Sequence, residues 1–185
     1  MTPALLLLPG AWSTAFCEEI RRAMDHGAID PAEVLTGTSQ VDVAVRKAFD
    51  VTLTPQWTTR VEEAVAALRP HIGTHFGLDL SGSVGASCLR YTAGGLYRRH
   101  RDRDPEADPE TAERRISLIV WVTNATTTTD RGDFEGGALR VYVEGTDPID
   151  LLPRAGTLVA FPSDWSHEVL PVTRGTRDVI VDWLY

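Results

Sequence analysis

The chain has 185 residues, of which 43% are hydrophobic and 24% are charged, a balance typical of a folded globular domain and not of a disordered segment. Its formal net charge of −8 at pH 7 argues against a nucleic-acid partner, because non-specific affinity for a phosphate backbone comes from clustered lysine and arginine. This length needs no more than one domain, and we predict a single domain over residues 1–185.

Residues 1–84 are predicted to form a helical support with flanking strands. The apolar run at residues 4–8 is too short to cross a bilayer and lacks the basic start of a secretory signal. We therefore interpret it as a buried strand and expect no membrane partner. The two cysteines, Cys17 and Cys88, have no metal-binding or disulfide spacing, which favours a reducing, cytoplasmic location.

Two helices are predicted within this N-terminal part. Ser13 is a suitable N-cap for the first helix. Its apolar residues recur at helical spacing: Phe16, Ile20, Ala23 and Met24. The second helix is predicted from about Pro55 to Phe76 with one apolar stripe: Val61, Val65, Leu68 and Ile72. Pro70 is expected to kink this helix or end it early. Between the helices, residues 41–53 indicate short strands or irregular chain.

From residue 85 onward the pattern changes to short apolar or alternating runs separated by Gly, Pro, Asp and Thr, as in antiparallel β structure. The predicted strands are residues 86–92, 96–102, 116–123, 138–143, 157–161, 167–172 and 177–184. Together with the two helices, they predict a mainly β fold with supporting α-helices. The expected architecture is a double-stranded β-helix of the jelly-roll, cupin-like type, with residues 85–185 as its β core.

Two stretches of this β core carry the side chains that we predict to bind a metal. His100 and Asp102 are two positions apart on a predicted strand, so both project from one face. His167 would be brought alongside by the barrel. Two imidazoles and one carboxylate are the facial triad that holds non-heme Fe(II) and leaves coordination sites open. We predict these three residues as catalytic metal ligands, although Mn, Co, Ni or Zn could occupy the same donors in vitro.

The other histidines are interpreted as solvated side chains. His71 and His75 would share a helix face, but no third ligand completes a site beside them. His26 lies in a predicted turn. Asp104 has the strand parity of Asp102 but precedes Pro105, where the strand should end, so we interpret it as a loop residue.

A series of further motifs extends from about Gly85 to the C-terminus. In order they are Tyr91, Tyr97, His100-x-Asp102, the Phe-Glu-Gly-Gly-Ala-Leu run at 134–139, the Gly-Thr-Leu-Val-Ala-Phe run at 156–161, His167-x-Val169-x-Pro171-Val172, Gly175-x-Arg177 and Trp183. A lone His-x-Asp would be a weak signal, whereas the whole series at this spacing is a strong one. It resembles the prolyl 4-hydroxylase-like branch of the Fe(II)/2-oxoglutarate-dependent dioxygenases.

The resemblance implies a 2-oxoglutarate site around Arg177. A guanidinium on the inner face of a barrel strand needs a partner, because an unpaired buried charge is costly. In the resembled family this position binds the distal carboxylate of 2-oxoglutarate, whose keto acid end chelates the iron. The alternative is a salt bridge to an internal Asp or Glu. Tyr91, Leu139 and Trp183 match family residues that line the cosubstrate, and plain core packing is the alternative for each.

One position departs from the family pattern. Several relatives carry a tyrosine or threonine on the strand after the first ligands, where this chain is interpreted as having Leu118, Val120 and Val122. Polar assistance to Arg177 is therefore expected to be missing or to come from elsewhere.

The implied reaction is hydroxylation of an unactivated C–H bond with Fe(II), 2-oxoglutarate and O2, releasing succinate and CO2, with ascorbate as a candidate reductant. Asp102 favours hydroxylation, since halogenating relatives lack this carboxylate. The alternatives are a non-oxidative cupin-type metal-binding protein and a 2-oxoglutarate sensor. The substrate is left open among a peptidyl residue, a free amino acid and a small molecule, and the sequence does not indicate the oligomeric state.

The loops at residues 103–115 and 124–133 are expected to flank the substrate entrance. Arg98 shares the predicted strand parity of His100 and Asp102, which makes it a candidate anchor for an acidic group of the substrate. The alternative for Arg98 is a solvent-facing arginine.

Overall fold

A computed structural model describes residues 5–35, 39–106 and 108–185. Helix α1 spans Thr14–Asp25, helix α2 spans Pro55–Phe76, and a short 3-10 helix spans Pro109–Thr111. In chain order the strands of the described residues are β1 (Leu6–Leu8), β2 (Ala28–Pro31), β3 (Val34–Leu35), β4 (Ser39–Gln40), β5 (Arg46–Lys47), β6 (Phe49–Thr52), β7 (Ser87–Tyr91), β8 (Leu96–His100), β9 (Ile116–Trp121), β10 (Phe134–Gly136), β11 (Leu139–Val141), β12 (Ile149–Leu151), β13 (Leu158–Pro162), β14 (His167–Val169), β15 (Val172–Gly175) and β16 (Arg177–Leu184).

Both predicted helices are confirmed. The Ser13 hydroxyl caps α1 by accepting a hydrogen bond from the Phe16 amide at 3.2 Å. The prediction that Pro70 ends α2 early is wrong, because the helix continues to Phe76. Ile72 and Phe76 are buried and anchor the last turns by packing, and this burial outweighs the one backbone hydrogen bond that proline removes.

Two facing antiparallel sheets form the body of the fold. The major sheet has the strand order β1-β13-β9-β16-β7-β6-β2, and the minor sheet has the order β12-β11-β14-β8-β5. Two further strand pairs, β10–β15 and β3–β4, lie outside these sheets. With the two helices beside the sheets, this is the predicted jelly-roll architecture.

The major sheet buries a different core on each face. One core packs α1 and α2 against the sheet through residues such as Ile20, Val61 and Val120. The other lies between the two sheets and includes Trp121 and Leu139. Side chains along a strand alternate between these cores, so the central strands β9, β13 and β16 supply both.

Strand β16 shows this alternation at its start. Arg177 pairs with Tyr91 of β7, and the next residue, Asp178, pairs with Arg90. Arg177 therefore faces the inter-sheet side and Asp178 faces the helix side.

The N-terminal apolar run is a strand, as predicted, but it lies at the edge of the major sheet. Leu6 is buried while Leu7 is 47% exposed, so only one face of β1 is covered. Residue 4, where the predicted run begins, lies outside the described residues. Neither helix in the described part of the chain combines the length and the apolar character that a membrane crossing would require.

Candidate metal centre

The three predicted metal ligands meet between the two sheets. His100 ends β8 and is the cross-strand partner of His167 at the start of β14. Asp102 follows β8 in a short loop. Its Oδ1 lies 3.5 Å from His100 Nε2, and its Oδ2 lies 3.4 Å from His167 Nε2. Among the residues that the structure describes, this is the one group of three or more side chains whose ligand atoms lie within 4.8 Å of one another.

Hydrogen bonds to the backbone orient both imidazoles. His100 Nδ1 lies 2.8 Å from the Arg98 carbonyl oxygen, and His167 Nδ1 lies 3.1 Å from that of Trp165. A carbonyl oxygen only accepts, so each Nδ1 carries the proton and each Nε2 presents its lone pair to the centre of the cluster. The predicted ligands are thus arranged with their metal-binding atoms converging.

The electrostatics of the cluster also suit a metal. Burial lowers the pKa of His167 to about 4, so this imidazole is neutral near pH 7. Burial by itself would raise the pKa of the Asp102 carboxyl, but the His167 and His100 imidazoles and the Ser117 hydroxyl outweigh it and hold that pKa below its ordinary value. A neutral His167 nitrogen and an anionic Asp102 oxygen result, and together with the His100 imidazole they form the donor set that suits Fe(II).

A cation without a hydrogen-bond partner among the described residues lines the same cavity. Arg177 is 1% exposed, and none of its three guanidinium nitrogens has a hydrogen-bond partner among the described residues. The guanidinium carbon lies 5.0 Å from the ring centroid of Tyr91 and 5.2 Å from that of Trp121. Burial lowers the pKa of Arg177 to about 10, which leaves it charged near pH 7. The alternative of an internal salt bridge is not found in the described part of the chain.

The remaining residues predicted to bind cosubstrate lie around this cation and the triad. The cavity has a volume of about 340 Å³ and is lined by the triad, Arg177, Tyr91, Leu139 and Trp183. Leu139 and Tyr91 are buried, and Trp183 is half-buried beneath the Arg114 guanidinium, whose carbon lies 4.2 Å from the ring centroid.

Arg98 is not brought to this cavity. His100 pairs with His167 while Tyr97 pairs with Val169, so three steps along β8 match two along β14. This bulge reverses the side-chain alternation. Tyr97 takes the inward position and stacks on His100 at 3.6 Å, whereas Arg98 is exposed and donates from Nε to the Ala44 carbonyl at 3.3 Å. Arg98 is not among the described residues that line the cavity, and the parity argument for it is wrong.

Leu118, Val120 and Val122, the residues at the predicted departure from the family pattern, lie on β9 or directly after it. These residues belong to the helix-side core. The inter-sheet face of the strand instead carries Ile119 and Trp121, and Ser117 shares their parity. All six residues of β9 are buried, so the sequence does not show which alternate side chains of this strand face the cavity.

The other titratable residues behave largely as predicted. His26 is exposed, with Nδ1 2.7 Å from the Arg22 carbonyl oxygen, and His71 is exposed on α2. Asp104 lies in a loop, as predicted, and this loop contributes to the cavity wall.

Comparison with known proteins identifies the family. Residues 86–185 match the model of the 2OG-Fe(II) oxygenase superfamily. A PKHD-type hydroxylase of Pseudomonas fluorescens is 34% identical over 97 residues, which are 50% of this chain and 39% of the relative. Another, from Thioalkalivibrio sulfidiphilus, is 30% identical over 159 residues, which are 86% of this chain and 59% of the relative. The chain thus spans about two fifths to three fifths of the length of these two curated relatives.

Two solved structures share the fold over almost the whole chain. A Pseudomonas putida prolyl-4-hydroxylase is 25% identical with a TM-score of 0.74, and the match covers 99% of this chain and 92% of that one. A prolyl hydroxylase of Trichoplax adhaerens, solved with a hypoxia inducible factor peptide fragment, has a TM-score of 0.79 at 16% identity and covers 100% and 84% of the two chains. The second likeness is one of fold alone.

The chain belongs to the 2OG-Fe(II) oxygenase superfamily, whose members use Fe(II), 2-oxoglutarate and O2. The predicted family is therefore confirmed. The residues present fit both groups, because the triad offers an Fe(II) donor set and the Arg177 guanidinium offers unmatched donors to a carboxylate.

Proposed function

We propose that this chain is a hydroxylase in which His100, Asp102 and His167 hold Fe(II) and Arg177 binds the distal carboxylate of 2-oxoglutarate. The observation that carries the proposal is the buried guanidinium without a hydrogen-bond partner among the described residues, in the same cavity as the triad. A non-oxidative cupin would not need this cation, and a catalytically silent cosubstrate sensor could lose a metal ligand, whereas all three ligands are present here. Neither alternative is favoured.

The chain supplies binding, orientation and shelter from water. When bound, Fe(II) and 2-oxoglutarate would supply the activation of O2 and the hydroxylation of a C–H bond, with succinate and CO2 as the other products. The two Nε2 atoms and the Asp102 carboxylate would hold the metal, and three protein donors would leave coordination sites open. Arg177 orients the cosubstrate by a two-pronged, charge-assisted contact.

The residues around Arg177 support the proposed carboxylate site. Tyr91 and Trp121 present ring faces to the guanidinium, and such faces stabilise a cation without saturating its N–H donors. Leu139 and Trp183 complete the wall, so the carboxylate and the guanidinium meet away from bulk water. Their mutual attraction is stronger in that environment than in solvent.

We propose a peptidyl residue, with prolyl as the first to test, as the substrate. Support comes from the similarity to the Pseudomonas putida prolyl-4-hydroxylase and from the peptide bound to the Trichoplax adhaerens enzyme. Exposed side chains of both charge signs, including Glu33, Arg99 and Arg101, line the cavity and can hydrogen-bond to an extended peptide. A free amino acid and a small molecule are the other candidates, and ascorbate and a cytoplasmic location stay predictions.

The proposal is tested by measuring succinate with Fe(II), 2-oxoglutarate and ascorbate present. Proline-containing peptides, free proline and a buffer blank form the panel, and mass spectrometry follows the candidate substrates. We expect succinate release that depends on Fe(II) and rises with the true substrate, together with a mass gain of one oxygen atom. Fe(II)-loaded protein that forms no succinate with any candidate or with the blank would contradict the hydroxylase.

A further inference from the structure

Asp102 is held differently from the two histidines. Both imidazoles belong to strands of the minor sheet, whereas Asp102 lies beyond the end of β8. The backbone N–H groups of Asp102 and Arg103 donate to the Ser163 carbonyl at 3.1 and 2.9 Å, and Arg114 Nη1 donates to the Asp102 carbonyl at 3.1 Å. Ser163 directly follows β13 of the major sheet. The carboxylate is thus attached to the sheet opposite to that of the histidines.

Two buried serine hydroxyls continue this attachment to the carboxylate itself. Ser117 Oγ lies 2.6 Å from Asp102 Oδ2 and 3.0 Å from Ser163 Oγ. Ser117 is 1% exposed and Ser163 is fully buried. A hydroxyl has one proton to donate, and an ionised carboxylate can only accept. Ser117 therefore donates to Asp102, and its oxygen accepts the proton of Ser163.

This chain of hydrogen bonds fixes how the carboxylate is rotated. Ser117 occupies Oδ2, while Oδ1 remains 3.5 Å from His100 Nε2 on the other side of the group. Without the hydroxyl, the carboxylate could turn about its Cβ–Cγ bond, because this terminal torsion has broad minima. The distances between the Asp102 carboxylate oxygens and the two imidazoles would then no longer be fixed.

We infer that Ser117, supported by Ser163, is a positioning residue that aligns the Asp102 carboxylate with the two histidines and so sets the affinity of the metal centre. The inference rests on the proposed function, since it assumes that the triad binds the metal. Partners of this kind behind a metal ligand typically change metal affinity by about 10- to 100-fold when they are removed.

Metal binding by the whole chain tests this role without measuring turnover. Mn(II) is titrated into the wild type, Ser117→Ala and Ser163→Ala, with free Mn(II) followed by electron paramagnetic resonance. We expect Ser117→Ala to bind Mn(II) at least about tenfold more weakly. Ser163→Ala should lose a smaller factor, roughly threefold, because the hydrogen bond to Asp102 remains. Ser87→Ala, in β7 of the same sheet, is the matched control and should bind as the wild type does.

The absorption spectrum of bound Co(II) supplies a readout that general destabilisation would not change. We expect an altered d–d band in Ser117→Ala, since the carboxylate ligand is no longer aligned. Equal Mn(II) affinity and an identical Co(II) spectrum in wild type and Ser117→Ala would overturn the positioning role alone. A wild type that binds neither metal would overturn the metal centre and this inference with it. If Ser117→Ala does not fold, unchanged affinity in Ser163→Ala overturns the role and weakened affinity supports it.

Discussion

Asp102 and Arg177 are both charged and both withdrawn into the wall of one cavity, but the chain treats them in opposite ways. Asp102 has an imidazole near each oxygen and the Ser117 hydroxyl on one of them. Arg177 has two aromatic faces and no hydrogen bond within the described residues. Protein groups position the Asp102 carboxylate, whereas the N–H donors of Arg177 have no partner among the described residues and can bind an anion. Under the proposed function, the metal would meet a carboxylate that the protein already positions, whereas 2-oxoglutarate would meet a guanidinium whose N–H donors have no partner among the described residues.

A second arginine of the major sheet has carboxylate partners for its guanidinium. Arg90, on the strand beside Arg177, donates from Nε and Nη2 to the two oxygens of Asp178 at 2.8 and 2.7 Å and also pairs with Asp25 at 2.8 Å. Arg90 and Asp178 lie on the helix side of the major sheet. One arginine is therefore a structural residue, and the other is available to a ligand.

The largest effect is expected from removing any one of the three predicted metal ligands. His167→Ala should abolish iron-dependent turnover and leave the fold intact, because this imidazole contributes to metal binding more than to the core; His100→Ala and Asp102→Ala should do the same. Turnover is measured by succinate release and folding by circular dichroism. His71→Ala, an exposed histidine of α2, is the control and should keep full activity. Full activity in purified His167→Ala would contradict the metal assignment.

The two arginines should differ in what they do for stability. Arg90→Met breaks a buried ion pair and leaves the Asp178 carboxylate without its main partner, so we expect the free energy of unfolding to fall by about 3 kcal/mol or more. Arg177→Met removes an unpaired buried charge and should not lower it in cosubstrate-free protein. Urea unfolding of both variants makes the comparison. An equal loss in the two would show that Arg177 is also held by the protein.

The affinity for 2-oxoglutarate should also distinguish the two arginines, with the larger effect now expected at Arg177. Arg177→Met should weaken 2-oxoglutarate binding by roughly 2 kcal/mol, about thirtyfold, through loss of a charge-assisted pair. Titration calorimetry with Mn(II) in place of iron measures this affinity. Arg90→Met, where it folds, should bind as the wild type does. Unchanged affinity in Arg177→Met would mean that the distal carboxylate lies elsewhere.

The smallest effect is expected at Arg98, which the bulge in β8 turns away from the cavity. Arg98→Gln should leave the ratio of hydroxylated product to succinate within about twofold of the wild type, since surface substitutions rarely have large effects. Product and succinate are quantified in the same reaction. A clear fall in that ratio would restore Arg98 as a substrate anchor.

The sequence predicts those features that depend on residue type at a fixed spacing. Helix α2 begins and ends at the predicted residues, and β16 has its predicted bounds. The convergence of His100, Asp102 and His167 followed from family motifs. The bulge beside Tyr97 was not predictable, because an extra residue in one strand is visible only once its partner strand is known. Ser117 and Trp121 were missed because β9 is apolar on both faces and its phase has no local signal.

The register of β16 has one further consequence, for the sign of the charge inside the cavity. A slip of one residue would turn Arg177 away and present Asp178 in its place, so a cation in the cavity wall would be replaced by a carboxylate. Gly175, two residues before Arg177, holds the turn that leads into β16 in this register. Its φ of 76° is a left-handed conformation, and a Cβ there would collide with the Asp133 carbonyl, so only glycine permits this close turn into the strand. The position of Arg177 in the cavity wall thus depends on a residue that does not line the cavity.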